Sequence, residues 1–258
     1  MRLLISVANA EEARAAVAGG ADVIDAKDPS RGALGAVSRD ALRAIVAAVG
    51  GARPVSAALG DARDARAIAH DARGATLAQA SYVKLGFAGI TDADRLEALL
   101  AAAVHAVQTV SARVGVIAVA YADAVRAQAP SPLRVIEAAE RVGATGVLLD
   151  TALKEGRSLF GVMRPSAVGE WVRLARDAAL TAALAGQLTA ADVPTARTLG
   201  ADLVGVRGAA CEGGRTGRVT RERVAILARS AGRRPVTPLR SHIVPRVDGE
   251  VTSRATPR

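Results

Sequence analysis

The feature that most limits how this chain can fold is a repeated alternation between short apolar segments and alanine-rich amphipathic segments. Eight rounds of this alternation are present, and each apolar segment has the length and composition of a strand that is buried on both faces. The predicted strands span residues 2–8, 22–27, 54–59, 82–87, 114–121, 146–151, 181–186 and 202–208.

The segments between these strands predict helices that pack on a parallel sheet. One of them carries apolar residues at spacings of three and four, namely Leu96, Leu99, Leu100, Ala103, Val104 and Val107. Glycines stand where helices should end, directly before a strand, at Gly20, Gly143 and Gly200. Eight such units predict a single α/β domain over residues 1–232, a (β/α)8 TIM barrel. A doubly wound open sheet is the alternative, and the lack of a GxGxxG motif after the first strand favours the barrel.

The net charge of +9 raises the question of a nucleic-acid partner. Residues 233–258 hold six arginines against Asp248 and Glu250, so this proline-bearing tail carries +4 of that charge. Such a tail is more typical of a disordered segment than of a binding module. An aromatic content of 2% is also too low for base stacking. We therefore expect residues 233–258 to be disordered, and we expect no nucleic-acid partner.

The remaining composition limits location and metal chemistry. No apolar run reaches the roughly 18 residues that a membrane helix needs, and Glu11 and Glu12 interrupt the first apolar segment. We therefore expect a cytoplasmic protein with no membrane partner. The single cysteine and the three scattered histidines predict no disulfide within the chain and no bound metal. Cys211 has no histidine nearby in sequence to activate it, so we expect it to be a packing residue.

The count of lysines is the most informative feature for chemistry. Only three of the 34 basic residues are lysines, Lys27, Lys84 and Lys154. Arginine serves equally well at a solvated surface, but it stays charged and cannot act as a nucleophile. The three lysines lie in or just after predicted strands two, four and six, towards the barrel face that carries active sites. Ammonium groups in one pocket lower one another's pKa, so one amine could attack a carbonyl and form a Schiff base.

Two aspartates accompany these lysines. Asp150 ends predicted strand six, four residues before Lys154, where it could orient that lysine, move protons, or merely cap the loop. Asp25 shares a strand face with Lys27 through the two-residue period, so we expect it to pair with a lysine inside the barrel. Taken singly, a lysine at a strand end is more typical of an ion pair or a phosphate anchor. Three together favour amine catalysis.

Glycine-rich loops follow predicted strands seven and eight. Strand seven ends at Gly186, and the segment 205–218 contains five glycines, among them Gly208, Gly213 and Gly214. Loops at these two places of a barrel commonly bind phosphate through backbone N–H groups. We expect Arg207 to add a bidentate contact to the phosphate. The glycine-bearing loop 27–36, beside Lys27, is a candidate for a second phosphate.

At these residues the sequence resembles the (5-formylfuran-3-yl)methyl phosphate synthases of methanofuran biosynthesis, also called 4-(hydroxymethyl)-2-furancarboxaldehyde phosphate synthases. The resemblance covers roughly residues 2–230 and is carried by DAKDPSRGALGA (25–36), VSAALGD (55–61), YVKLG (82–86), YADA (121–124), LLDTALKEGRSLF (148–160), ALAG (183–186) and DLVGVRGAACEGG (202–214). It implies a lyase that condenses two molecules of glyceraldehyde 3-phosphate into a furan aldehyde phosphate, releasing phosphate and water. It further implies that Lys27 forms the Schiff base, that Lys84 accepts a proton, and that Asp150 and Lys154 belong to the site. No metal or organic cofactor is implied.

The residues leave other functions open. A class I aldolase or a phosphosugar isomerase uses the same fold, since a fold does not fix its chemistry. A protein that binds nucleic acid or an acidic partner through its basic tail is a second alternative, and a barrel used only for assembly is a third. We expect a small phosphorylated aldehyde as substrate and a homo-oligomer as the assembled form.

Overall fold

Eight parallel strands close into a barrel in this computed structural model, which describes residues 1–154 and 156–232. The strands follow one another in chain order around the barrel, and β1 pairs with β8 to close it. They are β1 Arg2–Val7, β2 Val23–Ala26, β3 Val55–Asp61, β4 Tyr82–Gly86, β5 Gly115–Tyr121, β6 Gly146–Asp150, β7 Thr181–Leu184 and β8 Leu203–Val206. The predicted (β/α)8 TIM barrel is confirmed, and the open sheet is excluded. The predicted tail, residues 233–258, lies outside the described residues.

Helices connect the strands and cover the outside of the barrel. They are α1 Ala10–Gly19, α2 Arg39–Val49, α3 Ala65–Leu77, α4 Ala93–Gln108, α5 Ala124–Ala127, α6 Pro132–Arg141, α7 Leu159–Val162, α8 Pro165–Asp177, α9 Val193–Thr198 and α10 Arg221–Ser230. Six of them begin at a side chain that accepts a backbone N–H, as at Asn9 of α1 and Asp92 of α4. In residues 1–154 and 156–232, no helix is both long enough and apolar enough to cross a membrane.

The glycines predicted at helix ends adopt the backbone conformation that favours glycine. The φ angles of Gly20, Gly143 and Gly200 are +96°, +71° and +83°. This left-handed conformation ends each helix and turns the chain into the next strand.

Two strand ends differ from the prediction in a way that matters at the top of the barrel. Strand β2 ends at Ala26 and β8 ends at Val206, so Lys27 and Arg207 are the first residues beyond their strands. The Lys27 N–H still donates to the Val7 carbonyl at 2.9 Å, which continues the strand pairing by one bond. The Lys27 side chain therefore starts at the rim of the barrel, whereas Lys84 starts inside β4.

The barrel interior is lined by small and medium-sized side chains. Residues of β1 alternate, so that Leu3 and Ile5 pack among the helices while Leu4 faces the interior cluster. That cluster includes Leu4, Val23, Ala58, Val119, Leu148, Ala183 and Leu203. Because the chain supplies few aromatic side chains, the interior is not filled, and a cavity of about 370 Å³ remains. Cys211 is buried in the outer core, in agreement with its predicted packing role.

Candidate active site

The interior cavity opens at the C-terminal ends of the strands and gathers most of the predicted site residues. The three lysines line it together with Asp25, Asp150, Gly186, Arg207 and Gly208. Gly213 and Gly214 lie in the adjoining loop after β8, both with positive φ, and they do not line the cavity. Six basic and two acidic residues face the cavity, which gives it a surplus of positive charge.

Asp25 is the centre of a buried hydrogen-bond network inside the barrel. Its Oδ1 accepts from the Lys84 amine at 2.7 Å and from the Ser56 hydroxyl at 2.7 Å. Its Oδ2 accepts from the Ser6 hydroxyl at 2.8 Å. Burial raises the pKa of the Asp25 carboxyl, but the charges of Lys84 and Lys27 and the hydrogen bonds outweigh burial, and the pKa is lowered. Asp25 is therefore a fixed carboxylate that holds Lys84.

Asp150 holds the third lysine at the mouth of the cavity. Its Oδ1 accepts from the Lys154 amine at 2.6 Å and from the Thr151 N–H at 2.7 Å. Burial raises the pKa of the Asp150 carboxyl, yet the charges of Lys154 and Lys27 outweigh this effect and lower the pKa. The Lys154 side chain stays 12% exposed, so it can still meet a ligand.

Asp123 fixes the loop that carries Lys154, a role that the sequence did not reveal. Its two carboxylate oxygens accept from the N–H groups of Ala152 at 2.7 Å and Leu153 at 3.0 Å. These bonds set the path of the chain just before Lys154, so that its amine reaches back to Asp150. Asp123 lies in the YADA segment, but only the fold brings that segment beside the β6 loop.

Lys27 differs from the other two lysines. Among the described residues, its amine is the only lysine amine without a hydrogen bond or an ion pair, although the residue is only 8% exposed. The pKa of Lys27 is lowered to about 8, mainly by burial. The carboxylates of Asp150 and Asp25 raise this pKa, and the charges of Lys84 and Lys154 lower it further. About a tenth of such amines are neutral at pH 7, against fewer than about one in a thousand for an ordinary lysine.

The Arg207 guanidinium is occupied by the protein itself. It donates to both carboxylate oxygens of Glu12 at 2.9 and 3.2 Å and to the carbonyls of Ser6 at 3.0 Å, Arg215 at 2.8 Å and Gly217 at 3.1 Å. These contacts use all five N–H groups of the side chain. The predicted phosphate contact of Arg207 would therefore require one of these bonds to break. In the structure, Arg207 fastens the β8 loop to α1 and β1.

The part of the chain that the structure describes contains no cluster of three or more His, Cys, Asp or Glu side chains arranged to hold a metal ion. The charged groups that line the cavity are three lysine amines, three arginine guanidinium groups and two carboxylates, with serine and threonine hydroxyls among them. They suit a reaction in which an amine attacks a carbonyl and neighbouring charged groups move protons.

Comparison with known proteins adds independent information. Residues 3–228 match the family model described as 4-HFC-P synthase. The (5-formylfuran-3-yl)methyl phosphate synthase of Methanocaldococcus jannaschii is 39% identical over 87% of this chain and 97% of its own length. The synthase of the same name from Archaeoglobus fulgidus is 37% identical over 88% of this chain and 97% of its own length.

Solved structures show the same fold at low sequence identity. Phosphoribosyl anthranilate isomerase from Thermotoga maritima is 17% identical with a TM-score of 0.62, covering 90% of this chain and 98% of that one. A 3-hexulose-6-phosphate synthase is 20% identical with a TM-score of 0.60, covering 90% of this chain and 99% of that one. These similarities support the barrel fold alone.

Proposed function

Because this chain belongs to the 4-HFC-P synthase family, we propose that it condenses two molecules of glyceraldehyde 3-phosphate to (5-formylfuran-3-yl)methyl phosphate through a Schiff base at Lys27. Membership of a synthase family makes the chain an enzyme, and the lyase mechanism is the proposal. The observation that supports it most is the state of Lys27, which is unpaired among the described residues, faces the cavity and has a pKa of about 8.

The first proposed step is attack of the neutral Lys27 amine on the aldehyde carbon of one triose phosphate. Loss of water from the carbinolamine gives a protonated imine, which makes the C–H bond on the adjacent carbon acidic. We assign Lys84 as the acceptor of that proton. To accept it, the Lys84 ammonium must first release one of its own protons to water in the cavity, and the hydrogen bond to Asp25 at 2.7 Å keeps the amine in place. The result is an enamine on Lys27 that can attack the aldehyde of the second triose phosphate.

Asp150 and Lys154 are proposed to serve the later steps. The Lys154 ammonium, held at 2.6 Å from Asp150, can give a proton to the new alkoxide or stabilise the negative charge of the leaving phosphate. Elimination of phosphate, ring closure and loss of water then form the furan ring. Hydrolysis of the remaining imine returns the product aldehyde and the free Lys27 amine.

We propose that the glycine-rich loops after β7 and β8 bind the substrate phosphates. Gly186 has a φ of +103°, and a Cβ on it would lie 3.1 Å from the Thr151 side chain, so the loop passes close to the site. Gly208 lines the same cavity, and Gly213 and Gly214 form the adjoining turn. The surplus of basic residues around the cavity suits two phosphorylated substrates.

The proposed reaction is tested by its product. Purified protein incubated with glyceraldehyde 3-phosphate is expected to release inorganic phosphate and a furan aldehyde phosphate of the expected mass. An aldol product that keeps both phosphates, with no furan, would favour the class I aldolase alternative. A rearranged triose phosphate alone would favour a phosphosugar isomerase.

The pH dependence of this reaction follows from Lys27. Because only the neutral amine attacks, kcat/KM is expected to rise about tenfold per pH unit below pH 8 and to level off above about pH 8. The measurement is kcat/KM from pH 6 to 10 with stability checked at each pH. A rise that continues to pH 10 with no plateau, as for a lysine of ordinary pKa 10.5, would contradict a lowered pKa for the attacking amine.

Three expectations stay predictions. They are the cytoplasmic location, the assembly into a homo-oligomer and the lack of a metal or organic cofactor. The proposed steps are redox-neutral and use only amines and carboxylates, so they are compatible with the third of these.

A further inference from the structure

Arg215 also lines the cavity, and it lies in the turn between the short strands β9 (Cys211–Glu212) and β10 (Arg218–Val219) of the β8 loop. Its guanidinium reaches the loop after β2, which lies two strands from β8 around the barrel. Nη1 donates to the Pro29 carbonyl, and Nη2 donates to the Gly32 carbonyl at 2.6 Å. Arg215 thereby joins the β8 loop to the loop that begins at Lys27.

The donors of Arg215 are only partly used. Its hydrogen bonds to the β2 loop occupy two of the five N–H groups of a guanidinium, whereas those of Arg207 are all occupied. The side chain is half-buried, and burial lowers the pKa of Arg215. No carboxylate in the described residues forms an ion pair with it. A half-buried guanidinium with spare donors is suited to an anionic ligand.

The surrounding structure holds Arg215 in place. Arg207, anchored on Glu12, donates to the Arg215 carbonyl at 2.8 Å and to the Gly217 carbonyl at 3.1 Å. The turn is tight, because a Cβ on Gly217 would lie 1.8 Å from the Glu212 carbonyl oxygen. The backbone of Arg215 is therefore fixed before a ligand arrives, and this lowers the entropic cost of binding.

We propose that Arg215 binds the phosphate of the triose attached to Lys27, and that Arg207 is a positioning residue that places it. Arg215 and Lys27 line the same cavity, and the β2 loop that Arg215 contacts begins at Lys27, so a triose attached to Lys27 has its phosphate in the same cavity as the Arg215 guanidinium. The inference rests on the proposed function only in that the ligand is a phosphorylated triose. It replaces the phosphate contact that the sequence assigned to Arg207.

The test compares Arg215→Gln with Arg218→Gln, a matched change in the same loop at a residue whose ion pair with Glu11 lies at the exposed surface. Calorimetry would measure the binding of inorganic phosphate and of glyceraldehyde 3-phosphate to each protein. Loss of a charge-assisted contact is expected to weaken both about 10- to 100-fold in Arg215→Gln. Arg218→Gln is expected to bind both like the unaltered chain. If Arg215→Gln does not fold, Arg215→Lys is the alternative variant. It keeps the positive charge but lacks the paired N–H donors of a guanidinium, and it is expected to weaken binding about 10-fold.

A second readout separates phosphate binding from a merely structural role. Borohydride trapping would compare glyceraldehyde 3-phosphate with unphosphorylated glyceraldehyde, and the preference for the phosphorylated aldehyde is expected to fall about 10- to 100-fold in Arg215→Gln. An equal loss for both aldehydes, or unchanged phosphate binding, would overturn the proposal. Failure of the unaltered chain to make the furan would refute the proposed function, whereas phosphate binding that depends on Arg215 would still support this inference.

Discussion

Replacing Lys27 by methionine is expected to abolish product formation while the barrel remains folded. The variant has no amine to form the Schiff base, and Lys84 and Lys154 are held in ion pairs at 2.7 and 2.6 Å. We expect kcat/KM to fall by about 10⁴-fold or more, as is usual when a catalytic nucleophile is removed. Measurement of kcat/KM for Lys27→Met, with circular dichroism as a check on folding, tests this. Activity above about one hundredth of the unaltered level would contradict the role of Lys27.

The same variant is expected to be more stable than the unaltered chain at pH 7. The pKa of Lys27 is about 8 in the folded protein and 10.5 in the unfolded chain. At any pH where the amine is charged, folding therefore buries a charged group, and this lowers the free energy of unfolding. That cost is fully present below about pH 8 and is lost as the pH rises towards 10.5. Lys27→Met removes it, and we expect a gain of about 1–3 kcal/mol in the free energy of unfolding at pH 7.

Replacing Lys84 by methionine is expected to have the opposite effect on stability. Lys84 and Asp25 are 4% and 0% exposed, so the substitution leaves a carboxylate inside the barrel with only hydroxyl partners. Removing one partner of a buried ion pair costs about 3–5 kcal/mol. Lys84→Met is therefore expected to be strongly destabilised, and its activity is expected to fall as well because Lys84 is the proposed proton acceptor.

The two methionine variants form a matched pair, since each removes one amine from the same cavity. Urea unfolding of Lys27→Met, Lys84→Met and the double variant Asp25→Asn with Lys84→Met measures the contrast. The double variant is expected to recover part of the stability lost in Lys84→Met, because no unpaired charge remains. Equal destabilisation by both single methionine variants would contradict the distinction between a free and a paired lysine.

Much of the fold could be predicted because each strand is marked by its own local sequence. All eight strands lie within two residues of their predicted bounds, and the helix-ending glycines have the expected conformation. The inward direction of Asp25 also follows from the two-residue period of its strand, whereas its partner Lys84 comes from β4 and is brought to it by the barrel. Strand bounds, helix ends and side-chain direction depend on residues close together in the chain.

Which basic residues are paired within the protein could not be derived from the residue pattern, because pairing depends on contacts between distant segments. Lys27 and Lys84 look alike in sequence, but β2 ends one residue before Lys27, while Lys84 lies within β4 beside Asp25. Arg207 stands at the expected place for a phosphate contact, but Glu12, some 195 positions away, takes its donors. The Arg215 guanidinium finds its acceptors in the β2 loop, which lies 183 or more positions earlier in the chain.

The identity of the attacking amine is tested most directly by trapping it. Glyceraldehyde 3-phosphate would be added to the unaltered protein, the imine reduced with borohydride, and the modified residue located by mass spectrometry of the digested protein. A single adduct of triose phosphate mass on Lys27, with a yield that rises with pH to a plateau above about pH 8, is the predicted result. An adduct on Lys84 or Lys154 in place of Lys27, or no adduct with the folded protein, would contradict it.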